Sequence, residues 1–245
     1  MILHDDETLT RVNDNIELIQ KKHGLTFGTD AYLLSAYMRD AKNSVAVDLG
    51  CGTGIISLLC AARGKFARIY AVDVQAEFCD VAERNCTHNG FDNIEVICSD
   101  IRELRIEADV VFTNPPYMKS TSGRPNDSMA KNIARHEIHG GIEDFCTAAA
   151  RMLRFGGLYY AVYRTDRLID LLSAMRDSGI EPKRMTYVHA DTRHEPSMVL
   201  VEGKRGGKPG VTVTRPLILR ELGEDSSDIR YIYERGEFDG SFYVR

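Results

Sequence analysis

The chain has 245 residues, 43% hydrophobic and 27% charged, with 20 Gly and 7 Pro, an ordinary globular composition long enough for one large domain with a full core. A formal net charge of −5 and an isoelectric point near 5.8 give no overall sign of a nucleic-acid binder. No run approaches eighteen apolar residues, which excludes a membrane-spanning helix. The opening Met1-Ile2-Leu3-His4-Asp5-Asp6-Glu7 has neither the basic segment nor the apolar core of a signal peptide, so a cytoplasmic location is expected.

In chain order, the apolar pattern predicts a strand over Ser44–Leu49, a glycine turn, and a helix from Ile55 to about Arg63. A second strand is predicted over Ala67–Val74, then a helix from Gln75 to about His88, closed by Asn89-Gly90 in the left-handed conformation that glycine tolerates. Ile94–Ser99 and Asp109–Thr113 read as the third and fourth strands, and Ile142–Leu153 as a helix. Phe155-Gly156-Gly157 is expected to turn into a strand at Leu158–Val162. A helix near Arg167–Asp177 ends at Gly179, and Arg184–His189 with Met198–Glu202 forms a final strand pair. Alternating strands and helices imply an α/β fold, a mostly parallel sheet covered on both faces. Lys204 to Gly210 reads as a flexible hairpin or loop, and the polar tail beyond Glu221 gives no definite structure. The expected organisation is one domain: an N-terminal extension over 1–40, a cofactor-binding core over 41–203, and a basic loop with a C-terminal extension over 204–245.

Charge is unevenly placed. Lys183 to Arg220 holds eight Lys/Arg against three acids, whereas the first twenty residues hold five acids against Arg11. The basic stretch is compatible with a phosphate-binding face or with a plain solvated surface. Six cysteines, at 51, 60, 79, 86, 98 and 146, form no C-x-x-C pair and read as small buried apolar residues in a reducing compartment.

Val47-Asp48-Leu49-Gly50-Cys51-Gly52-Thr53-Gly54 follows the first strand and opens a helix. Its glycines permit a sharp turn and close backbone approach at the carboxyl edge of the sheet, where such folds bind ligands. The G-x-G-x-G spacing differs from the G-x-G-x-x-G of many dinucleotide sites. Asp48 is expected to face the pocket, where a carboxylate suits a cationic ligand better than a pyrophosphate. Asp73 ends the second strand nineteen residues after Gly54, the distance expected of a ribose-binding acid. Asp100, within Cys98-Ser99-Asp100-Ile101, ends the third strand and could accept from an adenine amino group. Val74, Ser99 and Ile101, beside these acids, are counted with the same site. One acid at a strand end is commonly a cap; three at successive ends beside a glycine turn point to a nucleoside cofactor.

Asn114-Pro115-Pro116-Tyr117 follows the fourth strand. Two prolines end the strand and leave carbonyls without ladder partners. An asparagine carbonyl, a proline carbonyl and an aromatic face together suit alkylation of an amino group conjugated to a planar system, because its lone pair must leave the plane to attack. A strand-ending turn with a core tyrosine is the alternative reading of the tetrapeptide alone.

These motifs, in this order over about residues 25–165, resemble class I S-adenosylmethionine-dependent methyltransferases that methylate planar amino groups. The resemblance implies a Rossmann-like, mostly parallel seven-stranded sheet with an antiparallel C-terminal strand, and S-adenosyl-L-methionine as cofactor. It assigns Asp48 and the glycine turn to the methionine part, Asp73 to the ribose and Asp100 to the adenine. Within this class, Phe27-Gly28-Thr29-Asp30-Ala31-Tyr32-Leu33-Leu34, Ala134-Arg135-His136-Glu137 and Leu153-Arg154-Phe155-Gly156-Gly157 resemble the bacterial tRNA1(Val) adenine-N6-methyltransferase family. Thr29-Asp30 is equally readable as a helix N-cap alone or as a cap that also contacts cofactor, together with Phe27 and Gly28.

The resemblance implies an adenine in tRNA, adjoining the anticodon of a valine tRNA, as acceptor. The alternatives are release-factor glutamine methylation and N6-adenine methylation of rRNA or DNA. The target base would be unstacked and stacked again on Tyr117, a contact worth about 1–3 kcal/mol. Lys119, Arg124, Lys131 and Arg135, with Lys204, Arg205 and Lys208, are the expected RNA contacts. His136 and His139 lack acids or cysteines at ligand spacing, so no metal is expected. No membrane partner is expected either, and the pattern leaves the oligomeric state open.

Overall fold

The computed structural model describes residues 3–22, 28–115 and 140–243. A hairpin of β1 (Glu7–Asn13) and β2 (Ile16–Lys21) precedes helix α1 (Thr29–Tyr37). The core then alternates β3 (Ala41–Leu49), α2 (Ile55–Ala62), β4 (Phe66–Asp73), α3 (Ala76–Asn89), β5 (Ile94–Cys98) and β6 (Ala108–Thr113). After α4 (Ile142–Met152) come β7 (Leu153–Arg164), α5 (Leu168–Asp177), β8 (Ile180–Asp191) and β9 (Pro196–Arg205). The chain closes with β10 (Thr212–Val213), β11 (Leu217–Glu221), β12 (Glu224–Asp225) and α6 (Ser227–Arg235).

The main sheet runs β12-β11-β8-β9-β7-β6-β3-β4-β5, with β10 also on β8. Strands β5, β4, β3, β6 and β7 are parallel; β9 is antiparallel to both β7 and β8. That is the expected parallel sheet with its antiparallel strand. The order reverses at β3 and β6, and such a switch opens a crevice outside the carboxyl ends of the strands. Apolar runs at Ala46–Val47 and Val110–Phe112 are buried because helices cover both faces. One core lies under α1, α2 and α3 with the hairpin, the other under α4 and α5. No helix among the described residues is long and apolar enough to cross a membrane.

Several elements depart from the sequence reading. Phe155-Gly156-Gly157 is not a turn before a strand: β7 starts directly at Leu153, and these residues form a bulge between the pairings Ala108↔Leu153 and Val110↔Leu158. Among the described residues the sheet has ten strands, since β10, β11 and β12 extend the expected seven along the outer edge of β8. Two of the three added strands are two residues long, too short for alternation to register. The tail also folds. Ser226 caps α6 by accepting from the Ile229 N–H, and Ile229, Ile232, Phe238 and Phe242 join the core beside α1. Burying such side chains contributes about 1.5–3 kcal/mol each.

The N-terminal hairpin is held by side chains of α3. Asn85 accepts from the Ile19 N–H (2.7 Å) and donates to the Ile19 carbonyl (3.0 Å). One turn later Asn89 treats Glu17 the same way, at 3.0 and 2.8 Å. Four helical residues rise about 6 Å and two strand residues about 6.6 Å, so the two asparagines match alternate residues of β2 and act as a short ladder along its edge. Arg84 adds a bidentate pair to the buried Glu7, which holds that carboxyl down to about 2.

Candidate active site

The glycine turn is built from left-handed backbone: φ is +72° at Gly50, +55° at Gly52 and +81° at Gly54, which caps α2. The N–H groups of Gly50 and Cys51 donate to the Val72 carbonyl, and the Gly52 N–H donates to Asp73 Oδ2 at 2.9 Å. A Cβ on Gly50 would press on Phe145 at 3.3 Å and one on Gly54 would touch Ala82 at 3.4 Å. At Gly52 a Cβ would meet nothing within 4 Å among the described residues, so this is the open side of the turn among them.

The strand-end acids fill three different positions. Asp73 is nearly buried and binds the turn through Oδ2 and the Gln75 N–H through Oδ1. A carboxylate has about four lone-pair sites, so capacity for ribose hydroxyls remains. Val74 beside it is 37% exposed, an apolar surface at the sheet edge. Asp100 accepts from the Arg102 side chain and the Arg102 N–H, and this guanidinium lowers its pKa. The Ser99 N–H donates to the Asp73 carbonyl, while the Ile101 side chain is buried and its carbonyl accepts from Arg151.

Asp48 does not stand out into the crevice as expected. It is wholly buried beneath the turn, where Ser57 Oγ donates to its Oδ2 at 2.8 Å and Oδ1 has no hydrogen-bond partner among the described residues. Burial raises its pKa to about 7; the Ser57 bond opposes that rise and the neighbouring Asp73 charge adds to it.

Asn114 stands at the carboxyl end of β6, adjoining β3 across the order reversal, with the buried Pro115 next to it. Thr113 Oγ1 donates to the Leu49 carbonyl at 2.7 Å and locks the two strand ends together. Asn114 Nδ2 donates to Asp30 Oδ2 at 2.8 Å, which joins the Asn-Pro motif to the first turn of α1. The helix begins differently from the expected cap: Gly28 is the N-cap residue, Thr29 and Asp30 are already helical, and no side chain caps from the N-cap position. Phe27, Pro116, Tyr117, Lys119, Arg124, Lys131, Arg135, His136 and His139 lie outside the described residues.

The structure does not bring Lys204, Arg205 and Lys208 to this edge. Thr113 pairs with Ala161, so Asn114 is level with Val162, which faces Leu200 across β9. Lys204 faces Leu158, four residues further on, roughly 13 Å toward the opposite edge. Arg205 is also engaged with the Ala150, Ser178 and Gly179 carbonyls, a structural bracket. The net charge of the 183–220 stretch overstates its open surface. Arg184 is buried against Glu202 (2.9 Å) between the rings of Tyr37 and Tyr243, and Arg215 pairs with Asp228.

Sequence reasoning missed Ser57, Asn85 and Arg102. Asn85 reaches the turn itself, donating to the Thr53 carbonyl at 2.9 Å as well as pairing with Ile19. A signal for it exists in the chain: an asparagine inside a helix, where that residue type is disfavoured, one turn before the asparagine that ends it.

An unmet buried acceptor under the turn, an open left-handed glycine above it and acids at three strand ends fit a nucleoside cofactor with a cationic group. The model of the methyltransferase small domain matches residues 22–171. A protein of Phocaeicola vulgatus named tRNA1(Val) (adenine(37)-N6)-methyltransferase is 33% identical over 180 residues, 72% of this chain and 76% of its own. One of the same name from Tolumonas auensis is 30% identical over 92% of this chain and 93% of its own. Among solved structures, a protein of Agrobacterium tumefaciens titled a predicted O-methyltransferase superposes with a TM-score of 0.70 at 22% identity, covering 86% of this chain and 98% of that one, a likeness of fold. The chain belongs to the methyltransferase small domain family and, within it, to the family of the tRNA1(Val) (adenine-N6)-methyltransferases.

Proposed function

We propose that the protein methylates the exocyclic N6 of an adenine in tRNA, the adenine adjoining the anticodon of valine tRNA, in the cytoplasm. The observation that carries this reading is the Asn114 amide, fixed at the carboxyl end of β6 beside Pro115 and across the order reversal from the glycine turn. The names of the relatives support the choice of acceptor.

S-adenosyl-L-methionine, when bound, supplies an electrophilic methyl on a cationic sulfur. The turn at Gly50 to Gly54 would hold its methionine part, with Asp48 beneath meeting the positive charge. Asp73 would take the ribose, and Val74, Ser99, Asp100 and Ile101 the adenine. The Asn114 side-chain oxygen and the Pro115 carbonyl would accept the two amino hydrogens of the target base and turn the nitrogen lone pair toward the methyl group. The methyl would form a carbon–nitrogen bond at the expense of its carbon–sulfur bond, and the thioether would leave. The methylated nitrogen is then a strong acid and gives its proton to water, so positioning and electrostatics carry the rate without a general base. Tyr117 would stack on the base, and Lys119, Arg124, Lys131 and Arg135 would meet phosphates.

The test is incubation with labelled cofactor and either tRNA transcripts or release factor, followed by nucleoside mass spectrometry. N6-methyladenosine at a single position in valine tRNA is expected. Label on a glutamine of the release factor, with none on RNA, would reject the reading.

A further inference from the structure

We infer that Asp30 is a positioning residue of the transfer site: its carboxylate sets which end of the Asn114 amide faces the substrate, and the C-terminal extension holds α1 so that it can. This inference rests on the reading of Asn114 as the acceptor for the amino group.

The two ends of an asparagine amide are nearly the same size, and a site needing a carbonyl acceptor must exclude the flipped rotamer. An ionised carboxylate accepts and cannot donate, so only the NH2 end can pair with it. Asp30 Oδ2 takes that end at 2.8 Å, which directs Oδ1 of Asn114 away from α1. The carboxylate is fixed in the first turn of α1, with its Oδ1 accepting from the Ala31 N–H at 2.9 Å, which leaves Oδ2 to take the amide. Gly28 makes room, since a Cβ there would stand 2.7 Å from Asp30 Oδ1.

Helix α1 is gripped two residues beyond Asp30. The Tyr32 hydroxyl accepts from Arg63 at 3.2 Å and from Asn13 of the hairpin at 3.5 Å. The Tyr32 ring meets the Arg63 guanidinium at 5.1 Å and the edge of Tyr233 at 5.0 Å. Tyr233 belongs to α6, and Gly236 at the end of that helix lies so close to Arg63 that a Cβ would overlap it at 1.6 Å. The two ends of the chain thus converge on the turn that presents Asp30, which gives the tail a task beyond core packing.

A direct contact of Asp30 with cofactor makes different predictions, so a double-mutant cycle separates the two. Asp30→Ala, Asn114→Ala and the double variant would be assayed for kcat on tRNA and for calorimetric affinity for S-adenosyl-L-methionine. The side-chain amide signals of Asn114 would be followed by nitrogen-15 NMR in protein without RNA. Asp30→Ala is expected to lower kcat roughly 10- to 100-fold, with cofactor affinity within about two-fold and no further loss in the Asn114→Ala background. Asp30→Asn, which can still offer a carbonyl, should recover part of the rate, and Asn114 should shift in both variants. Tyr233→Ala should move the same amide signals and lower kcat less. Additive losses, a ten-fold weaker cofactor affinity on Asp30→Ala, or unmoved amide signals would overturn the inference. If the wild type methylates no RNA, the proposed acceptor is wrong, while the amide spectra still decide whether Asp30 orients Asn114.

Discussion

Asn85 and Ile19, 66 positions apart, exchange both hydrogen bonds that a neighbouring strand would supply, and the same Asn85 amide donates to Thr53 in the glycine turn. One buried side chain therefore couples the N-terminal hairpin to the cofactor turn. Asn85→Leu keeps the volume but strands the Ile19 N–H and two carbonyls, and should cost about 3 kcal/mol of stability. Cofactor affinity should fall as well, because the turn loses its anchor. Asn89→Ala acts on the exposed Glu17 and should cost about 1 kcal/mol with affinity unchanged. Denaturant midpoints and calorimetry of the two variants check this difference.

Asp48 predicts a distinct pH response. Its folded pKa, raised to about 7 from an ordinary 3.8, means that the native state holds this proton more tightly than the unfolded chain. The group therefore subtracts stability as pH rises from about 4 to about 7, on the order of 4 kcal/mol at most. Asp48→Asn should remove that slope, so the variant gains on the wild type at pH 8 and not at pH 4. Glu7, held down to about 2, has the opposite sign: its stabilisation is full above its ordinary 4.5 and disappears as pH falls toward 2. Urea midpoints of both proteins across this range, taken as a difference, isolate Asp48. A cationic ligand group above Asp48 would also make cofactor affinity rise with pH up to about 7 and then level off.

How much of the molecule is legible in its sequence depends on what each signal encodes. Glycine spacing and strand-end acids locate the turn, because left-handed backbone and the carboxyl edge of a parallel sheet are local facts. The depth of Asp48 is not legible: that it lies under the turn and not above it depends on Ser57 nine residues later and on the helices covering β3. The tail reads as polar because Ile229, Ile232, Phe238 and Phe242 are spread among charged residues, and only the tertiary fold shows that they enter one buried core. Basic residues are legible as charge but not as place, since the sheet edge occupied by Lys204 depends on the antiparallel run of β9.

Lys204 and Lys208 lie toward the sheet edge opposite the candidate site, so reversing both to Glu should leave kcat unchanged. RNA affinity should change by less than about two-fold, whereas removing a single phosphate-binding cation at the site edge should lower the salt slope by about one. Binding titrations at several salt concentrations read both quantities. A ten-fold weaker affinity for the double variant would mean that the RNA wraps around that edge.

Two glycines separate a ligand-contact role from a packing role. Gly52 has φ +55° and open space where a Cβ would go, and Gly157 would place a Cβ 2.9 Å from the Asp109 carbonyl and 3.0 Å from that of Arg154. Gly52→Ala should cost only the left-handed strain, about 1–2 kcal/mol, and leave the fold intact. Because the new methyl points where the cofactor is expected, affinity for it should fall by ten-fold or more, roughly the effect of one steric clash of 1.4 kcal/mol. Gly157→Ala forces β7 away from β6 within the bulge and should lower the thermal midpoint by several degrees, at about 4–8 °C per kcal/mol for a small domain and less for this length. The cofactor affinity of whatever remains folded should stay at the wild-type value. Thermal scans with and without S-adenosyl-L-methionine distinguish the two, since the Gly52 variant should lose its ligand-induced shift and the Gly157 variant should keep it. If both lose the shift equally, the open side of Gly52 is not the cofactor surface.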